Sequence, residues 1–484
     1  MCANADGVWG RAPSSGAKHT RSGGMSDMCV NADGVWGRAP CNIERGYRMK
    51  GQLWETRPLE SWAKAKELRA KWQKSIDSKE KVVGQGNTSF VADWQQAFPA
   101  ITVIEDNPAG SMIAAKNDVF ARKSRLACEI RGWGREICGY HGTLWGTQFL
   151  GYQEDGSPFN NRRFTVPFPC ICDSHGKRGE QCRDFEPIPR WANDFTMYLG
   201  DYDEEREKAM LDHRNFCSLK MINEMERVFD QKFDDEKMIE LIRASEETDK
   251  YRQEVFHYMT YKPAPLSVKD IYSFYTLGGL TKLDPEETVN FWRTFRDEVK
   301  WRAENQIAAL GTERYRWMEA HPPSWHFLKY YRYMEQYGAI CIGSQYSNGG
   351  SIEVRADGDL AEREYPAYPA DMPITTREDE IRLMTGFDAR APHHFKQDEY
   401  LRPYALNEFA EVYKVDGAVF GIWRSGVGCT MTRKEQAMKL REIGKSVLFY
   451  EGSQPGDRND LDEKRFLDQL DGWMESQGLR KLEN

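Results

Sequence analysis

The sequence contains no run of about 18 apolar residues, the least a membrane-spanning helix needs, so no membrane span is expected. It has no Gly-x-x-x-x-Gly-Lys-Ser/Thr loop, so the chain is not itself a P-loop ATPase. A Gly-x-Ser-x-Gly nucleophile elbow and a glycine-rich dinucleotide fingerprint after a strand are both missing. Gly311–Arg314 and Gly456–Arg458 read as ordinary loops. There is no basic stripe with interleaved aromatics, and the net charge is −8, which argues against a nucleic-acid partner. The opening residues MCANADGVWGRAPSSGAKHT lack the charged-then-apolar order of a secretion signal, so a cytoplasmic location is expected. Cysteines number 11, an odd count spread irregularly over 484 residues, which excludes a disulfide scaffold. In a reducing compartment such cysteines are buried small hydrophobes, reactive thiols or metal ligands. Cys128, Cys217 and Cys341 stand in apolar or helical settings and read as the first of these.

The length points to two or three α/β domains. Asn4–Pro13 reads NADGVWGRAP and Asn31–Pro40 repeats it across a Gly/Ser-rich linker, so residues 1–48 are expected to be a poorly ordered extension with a duplicated decapeptide. Leu59, Trp62, Ala65, Leu68, Trp72 and Ile76 recur at three- and four-residue spacing, an amphipathic helix with Pro58 suited to its first turn. Phe164–Cys172 is β-prone, and its prolines restrict it to a short strand or strand end. A long helix follows from about Asp203 to Asp230, with Met210, Phe216, Leu219, Ile222, Met225 and Phe229 on one face. Tyr261–Leu266, YKPAPL, breaks the chain, and helices are expected from Lys269 to about Tyr333. Gly338–Ser344, Val415–Trp423 and Ser446–Tyr450 read as buried strands. A helix from about Thr432 to Ile443 between the last two makes a βαβ unit and a parallel sheet. A final helix covers about Glu463–Gln477. The expected organisation is an N-terminal helical segment over 49–110, a first α/β domain over 111–262, a helical connection over 263–335, and a second α/β domain over 336–484.

Three cysteines stand out by position. In open parallel sheets ligands bind beyond the carboxyl ends of the strands. Cys429 comes just after the strand ending near Trp423, Cys172 ends the β-prone run, and Cys138 sits in the Gly-rich stretch Arg135-Glu-Ile-Cys-Gly-Tyr140. Brought together, three thiolates can hold an iron–sulfur cluster with one iron left open. In Ser425-Gly-Val-Gly-Cys429 the two glycines let backbone N–H groups approach an anionic cluster, and Arg424 adds positive charge; a tight strand-to-helix turn is the alternative use of that loop. Zinc is the alternative metal: Cys170, Cys172, His175 and Cys182 lie close in sequence but without paired Cys-x2–4-Cys knuckles.

The motifs around these cysteines resemble a known family, over roughly residues 55 to 480. WAKAKEL (Trp62–Leu68), EICGY (Glu136–Tyr140), CDSHGK (Cys172–Lys177), YKPAPL (Tyr261–Leu266), PPSWHFLKYYRYMEQYG (Pro322–Gly338), VDGAV (Val415–Val419) and GSQPGDRN (Gly452–Asn459) occur in the order and spacing of the benzoyl-CoA reductase and 2-hydroxyacyl-CoA dehydratase family. Arg314–Ser344 looks closest to the ATP-dependent benzoyl-CoA reductases. The chain departs from the pattern at Arg178 and Gly179, where an aromatic pair is usual, and at Gly426, the slot some members give to the third cysteine. The resemblance implies two Rossmann-like parallel-sheet domains with added helices, and a 4Fe-4S cluster on Cys138, Cys172 and Cys429, with Cys170 as the fallback for Cys172. It implies a homologous second catalytic subunit, ATP-hydrolysing electron-activating subunits, reduced ferredoxin upstream, and an acyl-CoA substrate whose aromatic ring is reduced one electron at a time. His141 and His175, close to two of the cysteines, are the candidate proton donors. A dehydratase subunit, or a non-catalytic relay or assembly subunit, are the alternatives.

Overall fold

A computed structural model describes residues 28–30, 36–38, 53–78, 80–86, 96–134, 137–165, 177, 204–275, 284–320, 323–344, 374–381, 403–404, 406–422, 432–451 and 462–483. The chain forms two units, Met1–Lys50 and Gly51–Asn484. In the first, β1 (Met28–Val30) pairs antiparallel with β2 (Trp36–Arg38), Cys29 opposite Gly37. β2 falls inside the second copy of the decapeptide; the first copy lies outside the described residues.

The second unit is mixed α/β with two parallel sheets. It opens with α1 (Ser61–Asp77), whose buried residues Ala65, Leu68, Trp72 and Ile76 are the expected stripe. Pro58 lies outside it, because the helix begins only after Glu60, where the carboxylate of Glu298 accepts from the Glu60 and Ser61 backbone N–H groups at 2.7 and 2.9 Å. β3 (Val82–Gly86) is the middle strand of the first sheet, flanked in parallel by β4 (Ile101–Glu105) and β5 (Arg163–Thr165). β5 is the only described part of the run Phe164–Cys172; Val166 onward lies outside the described residues.

Between β4 and β5 come α2 (Asp106–Lys116), α3 (Asp118–Ile130) and α4 (Gly139–Leu150). Asn117 starts α3 by accepting from the Phe120 N–H at 3.0 Å. α4 packs so closely on its neighbours that side chains do not fit. A Cβ on Gly146 would lie 1.6 Å from the Ser124 carbonyl oxygen of α3, and one on Gly110 of α2 would lie 1.9 Å from the Tyr140 carbonyl oxygen.

Two long helices follow, α5 (Glu204–Phe229) and α6 (Asp235–Tyr258). Ile222 and Met225 of α5 are fully buried, but Phe216 is 63 % exposed, contrary to the expected stripe. It precedes Met225 by about two and a half turns and so points to the opposite side of the helix. α7 (Val268–Tyr275) and α8 (Pro285–Glu304) come next. Asp284 caps α8 through the Glu287 N–H at 3.0 Å, with Pro285 in the first turn.

The second sheet has the order β7-β6-β8-β9, all parallel: β6 (Tyr315–Glu319), β7 (Ala339–Ser344), β8 (Gly417–Ile422) and β9 (Ser446–Glu451). β6 is a correction to the sequence reading, which continued helix through Tyr333. Its five residues are all buried, so no alternation marks it as a strand, and two of them are charged. The β8–β9 crossover through α11 (Arg433–Glu442) is the expected βαβ unit, with α10 (Asn407–Val412) before it; Gly444, at φ +79°, lets the chain turn back to β9. α9 (Lys329–Glu335) links β6 to β7 and α12 (Glu463–Ser476) closes the unit, capped by Asp462 at 3.1 Å from the Arg465 N–H.

Candidate functional site

The carboxyl ends of β6 and β7 lie side by side, Glu319 being in register with Ser344, while on the other side Glu319 faces Val419 and β8 runs three residues further. This is the edge where a parallel sheet presents ligands. Glu319 ends the inner strand β6, is fully buried, and accepts hydrogen bonds from the Tyr330 and Tyr331 hydroxyls, one on each carboxyl oxygen. Burial pushes its carboxyl up to about 8, against the opposing pull of the two phenols. The carboxyl therefore keeps its proton at neutral pH, as a buried group with no cation beside it among the described residues must. Both phenols are raised well above the usual tyrosine range, first by burial and then by the charge of Glu319. Cys341 of β7 is buried in the same way, which pushes its thiol up and leaves it a packing residue.

Cys138 reaches this edge from the other side. It is 6 % exposed and stands immediately before α4. Arg125, itself 3 % exposed, fixes the loop ahead of it by donating to the carbonyls of Gly134 at 3.1 Å and Cys138 at 3.4 Å. Two residues on, the Tyr140 hydroxyl donates to the Pro323 carbonyl at 3.2 Å and accepts from the Trp325 N–H at 2.9 Å. Those residues belong to the segment that leaves β6. Ser324 of the same segment meets the Tyr450 hydroxyl of β9 at 3.0 Å. The amino end of α4 is thus tied to the strand ends, and Cys138, Tyr140, Trp317, Trp325, Tyr331 and Val419 pack in one core cluster.

His141 is 1 % exposed and lies on Trp145 with ring centroids 6.0 Å apart. Cys172, Cys429 and His175 lie outside the described residues, as do Cys170, Cys182, Arg424 and Gly426. Among the described residues no group of three or more His, Cys, Asp or Glu is placed to hold a metal ion. The donor available at Cys138 nevertheless suits an anionic iron–sulfur group: a soft, buried thiol at the amino end of a helix, whose dipole favours negative charge. Glu319, Tyr330 and Tyr331 were not legible as site residues. The only trace in the sequence is a glutamate closing an aromatic-rich stretch, RWME, shortly before another, KYYRY.

Fold and site define an α/β protein that gathers its polar chemistry at the strand ends of a parallel sheet. The family described as 2-hydroxyglutaryl-CoA dehydratase, D-component, matches residues 129–476, and the chain belongs to that family. The matched stretch runs from the loop before Cys138 to the end of α12 and takes in the whole second sheet. Membership makes this an acyl-CoA dehydratase- or reductase-type subunit of a family whose members carry iron–sulfur clusters. No curated protein matches the chain. No helix among the described residues is long and apolar enough to cross a membrane.

Proposed function

We propose that the chain is the cluster-binding subunit of a cytoplasmic, ATP-dependent aromatic acyl-CoA reductase of the benzoyl-CoA type, with Cys138, Cys172 and Cys429 holding a 4Fe-4S cluster. The observation that carries this reading is the docking of the Cys138 helix, through Tyr140, onto the segment leaving β6. It ties the start of the Cys138 helix to the strand-end segment, and in the sequence Cys429 follows β8 by seven residues. Cys138, Cys172 and Cys429 would hold the cluster, which would supply single electrons and a Lewis-acidic iron. The remaining tasks fall to side chains. Ring reduction consumes protons, and His141 and His175 are the donors nearest in sequence to the thiols. Glu319 adds a carboxyl that holds its proton at neutral pH, with the Tyr331 hydroxyl as its immediate partner. A homologous second subunit completes the enzyme. ATP-hydrolysing subunits fed by reduced ferredoxin deliver the electrons.

A second reading, a 2-hydroxyacyl-CoA dehydratase subunit, is favoured by the description of the matched family. The two separate on stoichiometry: a reductase consumes ATP and electrons with every product, a dehydratase needs them only in catalytic amounts. The cluster itself is tested by anaerobic iron and sulfide analysis with EPR on wild type, Cys138→Ala, Cys172→Ala and Cys429→Ala. About four irons in wild type, lost in each variant, is the expected result. Zinc without iron sinks the assignment, and iron with no spectral response to acyl-CoA makes this a relay or assembly subunit.

A further inference from the structure

A cavity of about 190 Å³ lies between α1, α2, α7 and the segment from Trp325 to Tyr331. Its walls divide into two chemical kinds. Arg69, Lys116 and Lys269 supply positive charge, and Tyr272, Trp325 and Tyr331 supply aromatic surface. Tyr272 holds the aromatic side together, with ring centroids 5.0 Å from Trp325 and 6.1 Å from Tyr331. Tyr331 is itself stacked on Trp317 and Tyr330 and so offers only a ring edge, whereas Tyr272 meets both its wall neighbours tilted or edge-on.

The three cations are not equivalent. Lys116 already pairs with Glu154 at 2.9 Å, and Lys269 pairs with Glu335. Arg69 has no carboxylate among the described residues. One of its terminal nitrogens donates to the Ser273 carbonyl, while its Nε–H is buried with no acceptor among the described residues. A guanidinium has five N–H donors and no means of losing its charge, so a buried unmet donor is a standing cost. Burial alone disfavours its charged form. An anion in the cavity offsets the burial penalty of the guanidinium charge. The volume lies below the roughly 300–1,000 Å³ of sites for drug-sized ligands, so it takes either one small ring with its anionic substituent or part of the end of a larger ligand.

We propose that this cavity binds a planar aromatic ring bearing an anionic group, the anion meeting Arg69 and the ring lying among Tyr272, Trp325 and Tyr331. Two sources share that chemistry. One is the adenine and phosphate end of a coenzyme A thioester, which rests on the acyl-CoA reading above; the other is a free aromatic carboxylate, which does not. The wall residue Tyr331 is also the hydrogen-bond partner of Glu319, so the ligand sits one side chain away from the buried proton at the strand ends.

The test is isothermal titration of the full chain with adenosine 3′,5′-bisphosphate and, separately, with benzoate. Wild type, Arg69→Gln and Lys116→Ala are compared, and iron is assayed on the same samples. Saturable binding of the bisphosphate identifies the coenzyme end as the ligand; saturable binding of benzoate alone identifies the carboxylate. In either case Arg69→Gln weakens it by about tenfold or more, the worth of one charged hydrogen bond. Lys116→Ala, with its lysine half exposed and already paired, weakens it by only about threefold. No binding of either probe, or equal binding by wild type and both variants, overturns the proposal. Iron retained without binding leaves the cluster assignment standing; binding without iron leaves the cavity standing and removes the cluster.

Discussion

The two ends of strand β6 carry a buried ionisable group each, and they are treated in opposite ways. At the entering end, Arg316 is 2 % exposed and every direction of its guanidinium is met. Nε pairs with Glu313 at 2.6 Å, one terminal nitrogen donates to the carbonyls of Tyr413 at 3.2 Å and Met259 at 3.3 Å, and the other to that of Tyr261. At the leaving end, Glu319 is equally buried, yet among the described residues no cation pairs with it; it meets two phenols instead. Arg316 bolts the sheet to the segments after α6 and α10 with all three of its guanidinium nitrogens engaged. Glu319 has capacity to spare: a proton that can leave and neighbours that can rearrange. One end of the strand is specialised for stability and the other is kept reactive, and the reactive end is the edge where parallel sheets act.

Breaking the stable end gives the largest effect. Arg316→Met leaves Glu313, whose side chain is 1 % exposed, without its cation and strips three carbonyls of a donor. The expected loss is about 3–5 kcal/mol in urea unfolding; a loss below about 1 kcal/mol means the network is not the anchor described. The reactive end responds to pH instead. The Glu319 carboxyl titrates near 4.5 when unfolded and near 8 when folded, so its contribution is full below pH 4.5 and fades as pH rises through 8. Glu380, also raised to about 8 by burial, acts in the same sense, whereas His326, lowered to about 4 by burial, adds stability as pH climbs from 4 to 6.5. Above pH 6.5 the two carboxyls, among the described residues, therefore draw the slope downward. Glu319→Gln should flatten the fall in stability between pH 6.5 and 8 by up to about 2 kcal/mol, measured by unfolding at each pH. An unchanged slope assigns the whole fall elsewhere. The smallest effect tests the tie between the two sides of the site: Tyr140→Phe leaves the Trp325 N–H without its acceptor and costs about 1 kcal/mol. If the Cys138 helix is held to the strand ends by this bond, iron content falls in the same variant while the secondary structure seen by circular dichroism is kept.

Much of the frame was readable from periodicity alone. The α1 stripe, the βαβ unit around α11 and the final helix appear at or within a few residues of where spacing puts them. β6 was not readable, because strand patterns announce themselves by alternation and a strand buried on both faces has none. Phe216 failed for the converse reason, an apolar residue off the stripe of its own helix. Within the site, Cys138 was legible because glycine and tyrosine follow it in a recognisable motif. Glu319 was not, since its character is conferred by Tyr330 and Tyr331, which return over the strand end from 11 and 12 residues further on.

The missing side chain at Gly110 couples what look like separate parts. α2 presses its bare backbone against the Tyr140 carbonyl, and residues further along the same helix, Met112 and Lys116, form a wall of the cavity. Close-packed backbones have no slack to absorb a shift. A displacement of α2 that widened the cavity would have to carry the start of α4 with it, so the breadth of the cavity and the seat of Cys138 are set by a single mechanical coordinate.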